Sequence, residues 1–288
     1  MAAVKAVEKL RALLSDGKPH LTPACYDALS ARLVEKAGFD MSFMSGFAVS
    51  AARLGMPDTG LISYAEMLDQ GRNICSAVSI PIIGDADTGY GNALNVRRTI
   101  AGFAQAGFAC AMIEDQVAPK RCGHTQGKAV VDRDEALLRV KAAIDARDEG
   151  ADILIMARTD ARATNGFDEA MWRIKAFADI GADILFLEAP KTVEEMEAFG
   201  AGVPGPKMAN LVEQGDTPLL SLDTLGEMGF SVVLYPLTLL NSAITAMERS
   251  LQALSRGEQP EGISDFSHLK SIVGFDDYYA AEKRYSTN

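Results

Sequence analysis

The run Ile80-Pro81-Ile82-Ile83-Gly84-Asp85-Ala86-Asp87-Thr88-Gly89-Tyr90-Gly91 places a short apolar segment directly before two aspartates at alternate positions in a glycine-broken loop. A brief apolar run bounded by turn formers reads as a buried strand. About 27 residues later the pattern returns, with Ala109-Cys110-Ala111-Met112-Ile113 ending in Glu114-Asp115. A basic, glycine-containing loop follows, Lys120-Arg121-Cys122-Gly123-His124. Carboxylates at the ends of two buried strands, beside a cysteine set among cations, suggest a metal site with an acid close to it.

Outward from this stretch, one helix-to-strand joint recurs. It appears as Ala37-Gly38-Phe39 before Met41 to Met44, and as Ala106-Gly107-Phe108 before Ala109 to Ile113. Gly150-Ala151-Asp152 and Gly181-Ala182-Asp183 are nearly identical joints about 31 residues apart, and Met228-Gly229-Phe230 is the last. Each glycine suits a helix end in the left-handed conformation, and each apolar run after it suits a strand buried on both faces. The candidate strands are Leu21 to Cys25, Met41 to Ser45, Pro81 to Asp85, Ala109 to Glu114, Ile153 to Arg158, Ile184 to Glu188, Lys207 to Asn210 and Val232 to Tyr235. Amphipathic stretches separate them. Eight such units imply an α/β fold, a (β/α)8 TIM barrel, with a doubly wound open sheet as the alternative because the first and seventh strands are weak. Residues 1–288 read as one domain, with a helical C-terminal extension from about 239 to 288.

The chain has 288 residues and a net charge of −11, with no basic run longer than a pair such as Lys120-Arg121, which argues against nucleic-acid and membrane-surface binding. Neither a signal peptide nor an apolar span is visible in the sequence. Four cysteines lack metal-ligand spacing, so reduced thiols in a cytoplasmic protein are expected.

In a barrel, chemistry belongs at the carboxyl ends of the strands. Those ends read Ser45-Gly46, Asp85 with Asp87, Glu114, Arg158, Glu188, Asn210 and Pro236. Polar residues begin loops everywhere, and Asp87 could simply shape a turn before Thr88-Gly89. The joint pattern points further. Asp85, Asp87 and Glu114 form an oxygen-only set of the kind that Mg²⁺, or Mn²⁺ in its place, prefers. Three histidines in the whole chain speak against zinc. Arg158 offers a planar fork for a carboxylate, against the plainer reading of a rim salt bridge to Glu188. Cys122 lies among Lys120, Arg121 and His124, a setting that should favour the thiolate and proton transfer. The loop from Gln116 to Lys128 reads as a mobile lid.

These segments resemble the isocitrate lyase/phosphoenolpyruvate mutase superfamily. The matching residues are Ser45-Gly46, Pro57-Asp58, Asp85 to Gly91, Glu114-Asp115-Gln116, Lys120 to His124, Ala157-Arg158-Thr159-Asp160-Ala161, Glu188-Ala189-Pro190 and Asn210. The Lys-Arg-Cys-Gly-His loop resembles that of the carbon–carbon lyases. The resemblance implies a barrel whose last helix swaps between subunits of a homotetramer. It implies Mg²⁺ held by Asp85 and, through water, by Asp87 and Glu114, with Asp58 behind them. Ser45, Gly46, Phe47 and Arg158 would hold the oxoacid end of a small dicarboxylate, and Asn210, Glu188, Gly123 and His124 the other carboxylate. Lys120, Cys122, His124 and Arg158 would be the catalytic residues. The reaction implied is a retro-Claisen cleavage in which Cys122 protonates the departing carbanion.

Departures within that family narrow the substrate. Phe43 stands where isocitrate and methylisocitrate lyases carry a tyrosine proposed as base, and Val212 where they carry a hydroxyl residue. Phe186 replaces the tryptophan of isocitrate lyases, and Pro236 the serine of oxaloacetate hydrolases. The resemblance is therefore strongest to the branch that cleaves 2-alkylmalates. 2-Methylisocitrate cleavage, oxaloacetate hydrolysis or decarboxylation, phosphonate chemistry and non-catalytic oxoacid binding are the alternatives.

Overall fold

Parallel strands covered on both faces divide their residues between two apolar environments, and this division organises the molecule. The computed structural model describes residues 5–122 and 127–286. Eight parallel strands close into a barrel in chain order. They are β1 (His20–Cys25), β2 (Ser42–Met44), β3 (Ile82–Asp85), β4 (Cys110–Glu114), β5 (Leu154–Thr159), β6 (Ile184–Leu187), β7 (Lys207–Asn210) and β8 (Val232–Tyr235). Closure is made by β1 against β8, in the register His20↔Val232 to Pro23↔Tyr235. The open sheet is thereby excluded, and the strands fall within a residue or two of the stretches read from the sequence.

Alternate residues point inward and fill the barrel, among them Phe43, Met112, Met156, Phe186, Met208 and Leu234, all nearly inaccessible. The intervening residues, such as Met44, Ile113 and Leu185, face the surrounding helices and join a second, larger core. The first helix, Ala6–Ser15, belongs to the inner cluster through Val7 and Leu10. Lys9 Nζ donates to the Ser79 carbonyl at 2.6 Å and Lys5 pairs with Asp152 at 2.7 Å, just ahead of β3 and β5. The helix therefore plugs the amino-terminal mouth and leaves the other end open.

The recurrent joints behave as their composition dictates. Gly38, Gly107, Gly150, Gly181 and Gly229 all have positive φ, between 86° and 120°. A residue with a Cβ would be strained there, so glycine lets each helix turn sharply into the next strand.

The chain divides into two compact units, Met1–Thr238 and Leu239–Asn288. The second consists of the helix Thr238–Ser255 beyond its first residue, Phe266–Val273 and Phe275–Tyr285. Asp265 caps the second of these by accepting from His268 N, and Gly274 (φ 84°) separates it from the third. Along Thr238–Ser255 the apolar residues Ile244, Met247, Leu251 and Leu254 recur at helical spacing and are exposed. No helix among the described residues is long and apolar enough to cross a membrane.

Candidate active site

The inner face of each strand carries a residue every second position, so the last inward residues crown the packed barrel. Below them lie Phe43, Met112, Phe186 and Leu234 from the even strands. Two residues further along the same strands stand Ser45, Glu114, Glu188 and Pro236. The odd strands contribute Asp85, Arg158 and Asn210, each paired with a residue of the lower layer, as Asp85↔Met112, Arg158↔Phe186 and Asn210↔Leu234. Apart from Glu114, these residues line one cavity of about 180 Å³ together with Phe47, Asp58, Lys120, Cys122, Val212 and Leu237. A dry cavity of about 150 Å³ holds benzene, so a small organic acid fits.

One end of the cavity is ionic. Asp85 is fixed by two main-chain donors, Gly46 N–H to Oδ2 at 3.2 Å and Asp87 N–H to Oδ1 at 3.0 Å. Gly46 opens the helix Gly46–Leu54, which Ser45 caps by accepting from Ala48 N. A helix N-terminus here favours negative charge. A Cβ on Gly46 would lie 2.6 Å from Asp85 Oδ2, so the close approach requires glycine. Asp87 adopts φ 48°, a left-handed conformation that aspartate tolerates, and its carbonyl accepts from Glu114 N at 2.9 Å. Asp87 thus shapes the turn, and the turn aims its carboxylate at Lys120.

Lys120 is almost fully buried, with Nζ 2.6 Å from Asp58 Oδ1, 2.8 Å from Asp58 Oδ2 and 2.8 Å from Asp87 Oδ1. Asp58 Oδ1 and Asp87 Oδ1 are poorly aligned for hydrogen bonds, so these are ion contacts rather than saturated acceptors. Burial alone would depress the Lys120 ammonium, but Asp87, Asp85, Asp58 and Glu114 together push it well above its usual range. The acids feel the converse. Burial, then the Asp87 charge, raises Asp85, and burial raises Glu114 well above the carboxylate range. Such a cluster is short of positive charge.

Among the described residues, no three His, Cys, Asp or Glu side chains converge closely enough to cage an ion. The donor set nevertheless fits a divalent cation. It offers only oxygens, Glu114 Oε1 is buried without a hydrogen-bond partner, and Asp85 is held in place by main-chain donors. Mg²⁺ commonly retains several waters and takes one or two carboxylates, which suits a site without a direct cage.

Arg158 stands at the other side of the acids. Its Nε donates to Asp160 Oδ2 at 2.8 Å and a terminal nitrogen donates to Asp160 Oδ1 at 3.0 Å. Glu114 is 3.4 Å away and Glu188 3.8 Å, while the guanidinium carbon lies 5.2 Å from the Phe186 ring centre. The principal partner is thus Asp160, with the Glu188 contact secondary. Burial opposes the charge, but Asp160, Glu188 and Glu114 raise Arg158 well above its ordinary value. Asp160 is fully buried and also receives Lys128 Nζ at 3.1 Å. Asp115 supports this group by accepting from Thr159 Oγ1 at 2.6 Å, Asp160 N at 2.9 Å and Arg173 at 3.0 Å. Asn210 Nδ2 donates to Glu188 at 3.3 Å, and Ala189, directly after Glu188, is held at φ 53°.

The cavity therefore brings together Phe43, Ser45, Phe47, Asp58, Asp85, Lys120, Cys122, Arg158, Glu188, Asn210 and Pro236, with Gly46, Asp87 and Glu114 in contact with these side chains. Gly123 and His124 lie outside the described residues. The loop that carries them is pinned at both feet by an antiparallel bridge of Gln116 with Val130, by Val117 N–H to Ala129 O and by the Lys128 pair with Asp160. Asp160, Asp115, Gln116 and Lys128 received no role from the sequence. The signal was there for Asp160, which follows Arg158 by two residues, the spacing that lets neighbouring side chains share one strand end.

The family model described as phosphoenolpyruvate phosphomutase matches residues 10–255. The chain belongs to the phosphoenolpyruvate mutase/isocitrate lyase superfamily. Within it, the chain is 41% identical to 2,3-dimethylmalate lyase of Eubacterium barkeri over 283 residues, 97% of this chain and 98% of that one. It is also 41% identical to the chloroplastic carboxyvinyl-carboxyphosphonate phosphorylmutase of Arabidopsis thaliana, over 92% of this chain and 80% of that one. To 2-methylisocitrate lyase of Aeropyrum pernix the identity is 38%, over 96% and 88%. Among solved structures, a trigonal crystal form of 2,3-dimethylmalate lyase superposes with a TM-score of 0.93 at 36% identity, covering 98% of this chain and 95% of that one. Oxaloacetate acetylhydrolase with 3,3-difluorooxalacetate gives 0.92 at 35% identity, over 97% and 96%. Phosphonopyruvate hydrolase in complex with oxalate and Mg²⁺ gives 0.87 at 28% identity, over 98% and 99%.

Proposed function

We propose that this superfamily member is a Mg²⁺-dependent carbon–carbon lyase that cleaves a 2-alkylmalate-type 2-hydroxy-dicarboxylate, such as 2,3-dimethylmalate, to a 2-oxoacid and a monocarboxylate. The observation that carries the reading is the two-sided cavity. Carboxylates, Arg158 and the Cys122 thiol share it with an apolar wall of Phe43, Val212, Leu234, Pro236 and Leu237. That wall takes alkyl groups, and a third carboxylate buried against it would be unpaired, at a cost of several kcal/mol on the order expected for an ion out of water.

In this reading Asp85, Asp87 and Glu114 would hold the cation, with Asp58 behind them. When bound, the cation polarises the C2 oxygen and stabilises negative charge there. Arg158 and the N-terminus of Gly46–Leu54 bind the C1 carboxylate, with Ser45 and Phe47 at its side. Glu188 and Asn210, joined by Gly123 and His124, orient the second carboxylate, while Lys120 balances the acids. Loss of the C2 hydroxyl proton lets the C2–C3 bond break as C2=O forms. Cys122 then delivers its Sγ proton to C3 of the departing carbanion. Phe43 has no titratable group and cannot take the C2 hydroxyl proton.

We read the exposed stripe Ile244, Met247, Leu251 and Leu254 as the contact of a helix-swapped homotetramer, since apolar rows of this kind mark association surfaces. Light scattering on the purified chain tests that assignment: a monomer contradicts it.

A coupled assay for released 2-oxoacid, with and without Mg²⁺, tests the function on 2-methylmalate, 2,3-dimethylmalate and 2-methylisocitrate, and NMR of the products, ³¹P for the phosphonate, tests it on oxaloacetate and phosphonopyruvate. Preferential cleavage of the alkylmalates, abolished by chelation, supports the reading. Turnover of 2-methylisocitrate alone would show that the wall around Val212 admits a third carboxylate, and turnover of phosphonopyruvate would place the chain with the phosphonate enzymes.

A further inference from the structure

Glu114, Asp115 and Gln116 are consecutive, yet their side chains serve three directions. Glu114 contacts Arg158 in the cavity, Asp115 braces Thr159 and Asp160, and Gln116 turns to the loop that carries Cys122. Gln116 is 1% exposed. Its Nε2 donates to the Arg121 carbonyl at 2.8 Å and its Oε1 accepts from the Arg121 N–H at 2.9 Å. One side-chain amide thus satisfies both main-chain groups of the residue immediately before Cys122, much as a neighbouring strand would. Gln116 is itself fixed, because its carbonyl accepts from the buried Arg139 at 2.7 Å and its main chain bridges to Val130. On the other side of the clamp, Lys120 is anchored between Asp58 and Asp87. Two consecutive residues are therefore held, one by its side chain and one by its backbone, and the next residue is Cys122.

We propose that Gln116 is a positioning residue for Cys122, setting where the thiol stands in the cavity through the paired bonds to Arg121. The catalytic side of the proposal rests on the reading of Cys122 as the proton donor. Only glutamine meets the geometry. Glutamate lacks the donor to the Arg121 carbonyl, and asparagine is one carbon–carbon bond, about 1.5 Å, too short. A residue with a purely structural role would lower stability without selectively moving Cys122 or the chemical step.

The test compares the full chain with Gln116→Ala and Gln116→Asn, and either folded variant suffices. Peptide-resolved iodoacetamide labelling of the native protein reads Cys122 directly, since labelling follows access and thiolate character. The expected change in its rate is at least about threefold. On the substrate that the parent protein cleaves, kcat is expected to fall about 10- to 100-fold, as for a reacting group displaced by an ångström, with KM within about twofold. Unchanged Cys122 labelling in a folded variant overturns the proposal, as does a loss confined to KM. If the parent protein cleaves nothing, the lyase reading fails, while the labelling still decides the placement of Cys122 by Gln116.

Discussion

Replacing Asp160 with Asn changes one oxygen to an amide behind the cavity, and the consequences follow from its partners. Asp160 is fully buried and accepts two hydrogen bonds from Arg158 and one contact from Lys128. Removing the anionic partner of a buried cation typically costs about 3–5 kcal/mol. Here Arg158 keeps Glu114 at 3.4 Å and Glu188 at 3.8 Å, and asparagine keeps one acceptor oxygen. The expected loss is therefore lower, about 2–3 kcal/mol. For a unit of this size about 2–4 °C accompanies each kcal/mol, so the melting temperature should fall by roughly 4–12 °C. Because Asp160 fixes the Arg158 fork, KM for the dicarboxylate should rise about tenfold, the equivalent of one weakened charged hydrogen bond. A thermal denaturation cycle with Lys128→Met separates the contributions. Both cations lean on one carboxylate, so the two losses should be non-additive by about 1 kcal/mol. An Asp160→Asn protein that melts within about 1 °C of the parent refutes the energetic argument. Strict additivity refutes the shared-partner argument.

Gly46→Ala should weaken cation binding about tenfold by calorimetry, because its Cβ would stand 2.6 Å from Asp85 Oδ2; unchanged Mg²⁺ affinity would mean that Asp85 does not hold the ion. Burial pushes the Cys25 thiol up from 9.0 to about 12. Its raised folded value means that it stabilises the fold fully below pH 9.0 and that this contribution is lost as pH rises towards about 12. Cys25→Ala should therefore flatten the fall in melting temperature over that alkaline window, and an unchanged slope counts against the burial argument. Val212→Ser should raise the ratio of 2-methylisocitrate to alkylmalate turnover about tenfold by supplying a polar partner in the wall; a fixed ratio would remove Val212 from the specificity determinants.

Much of the fold was legible because the five joint glycines, Gly38, Gly107, Gly150, Gly181 and Gly229, each mark a helix end by a conformation that other residues resist. β1 and β7 were faint for local reasons: Pro23 interrupts β1, and β7 reads Lys207-Met208-Ala209-Asn210, with only two apolar residues. Closure between β1 and β8 joins residues more than 200 apart, and no local pattern encodes it. The candidate site was legible wherever period-two alternation carries an inward residue to a strand end, as at Asp85, Glu114, Arg158, Glu188 and Asn210. Its support was not. Asp160 with Lys128, Asp115 with Arg173 and Gln116 with Arg121 depend on loops meeting in space, and their residue types look the same on any solvated surface.

In the proposed reaction the chain breaks a C2–C3 bond and Cys122 protonates the departing carbon. Incubating the protein with Mg²⁺ and 2,3-dimethylmalate in D₂O, and following the products by NMR, addresses both parts at once. The expected products are pyruvate and propionate carrying a single deuteron at the carbon next to its carboxylate, with neither formed by Cys122→Ser. Intact 2,3-dimethylmalate after incubation with the folded, Mg²⁺-supplied protein would contradict the lyase assignment, and full turnover by Cys122→Ser would remove the cysteine from the chemistry.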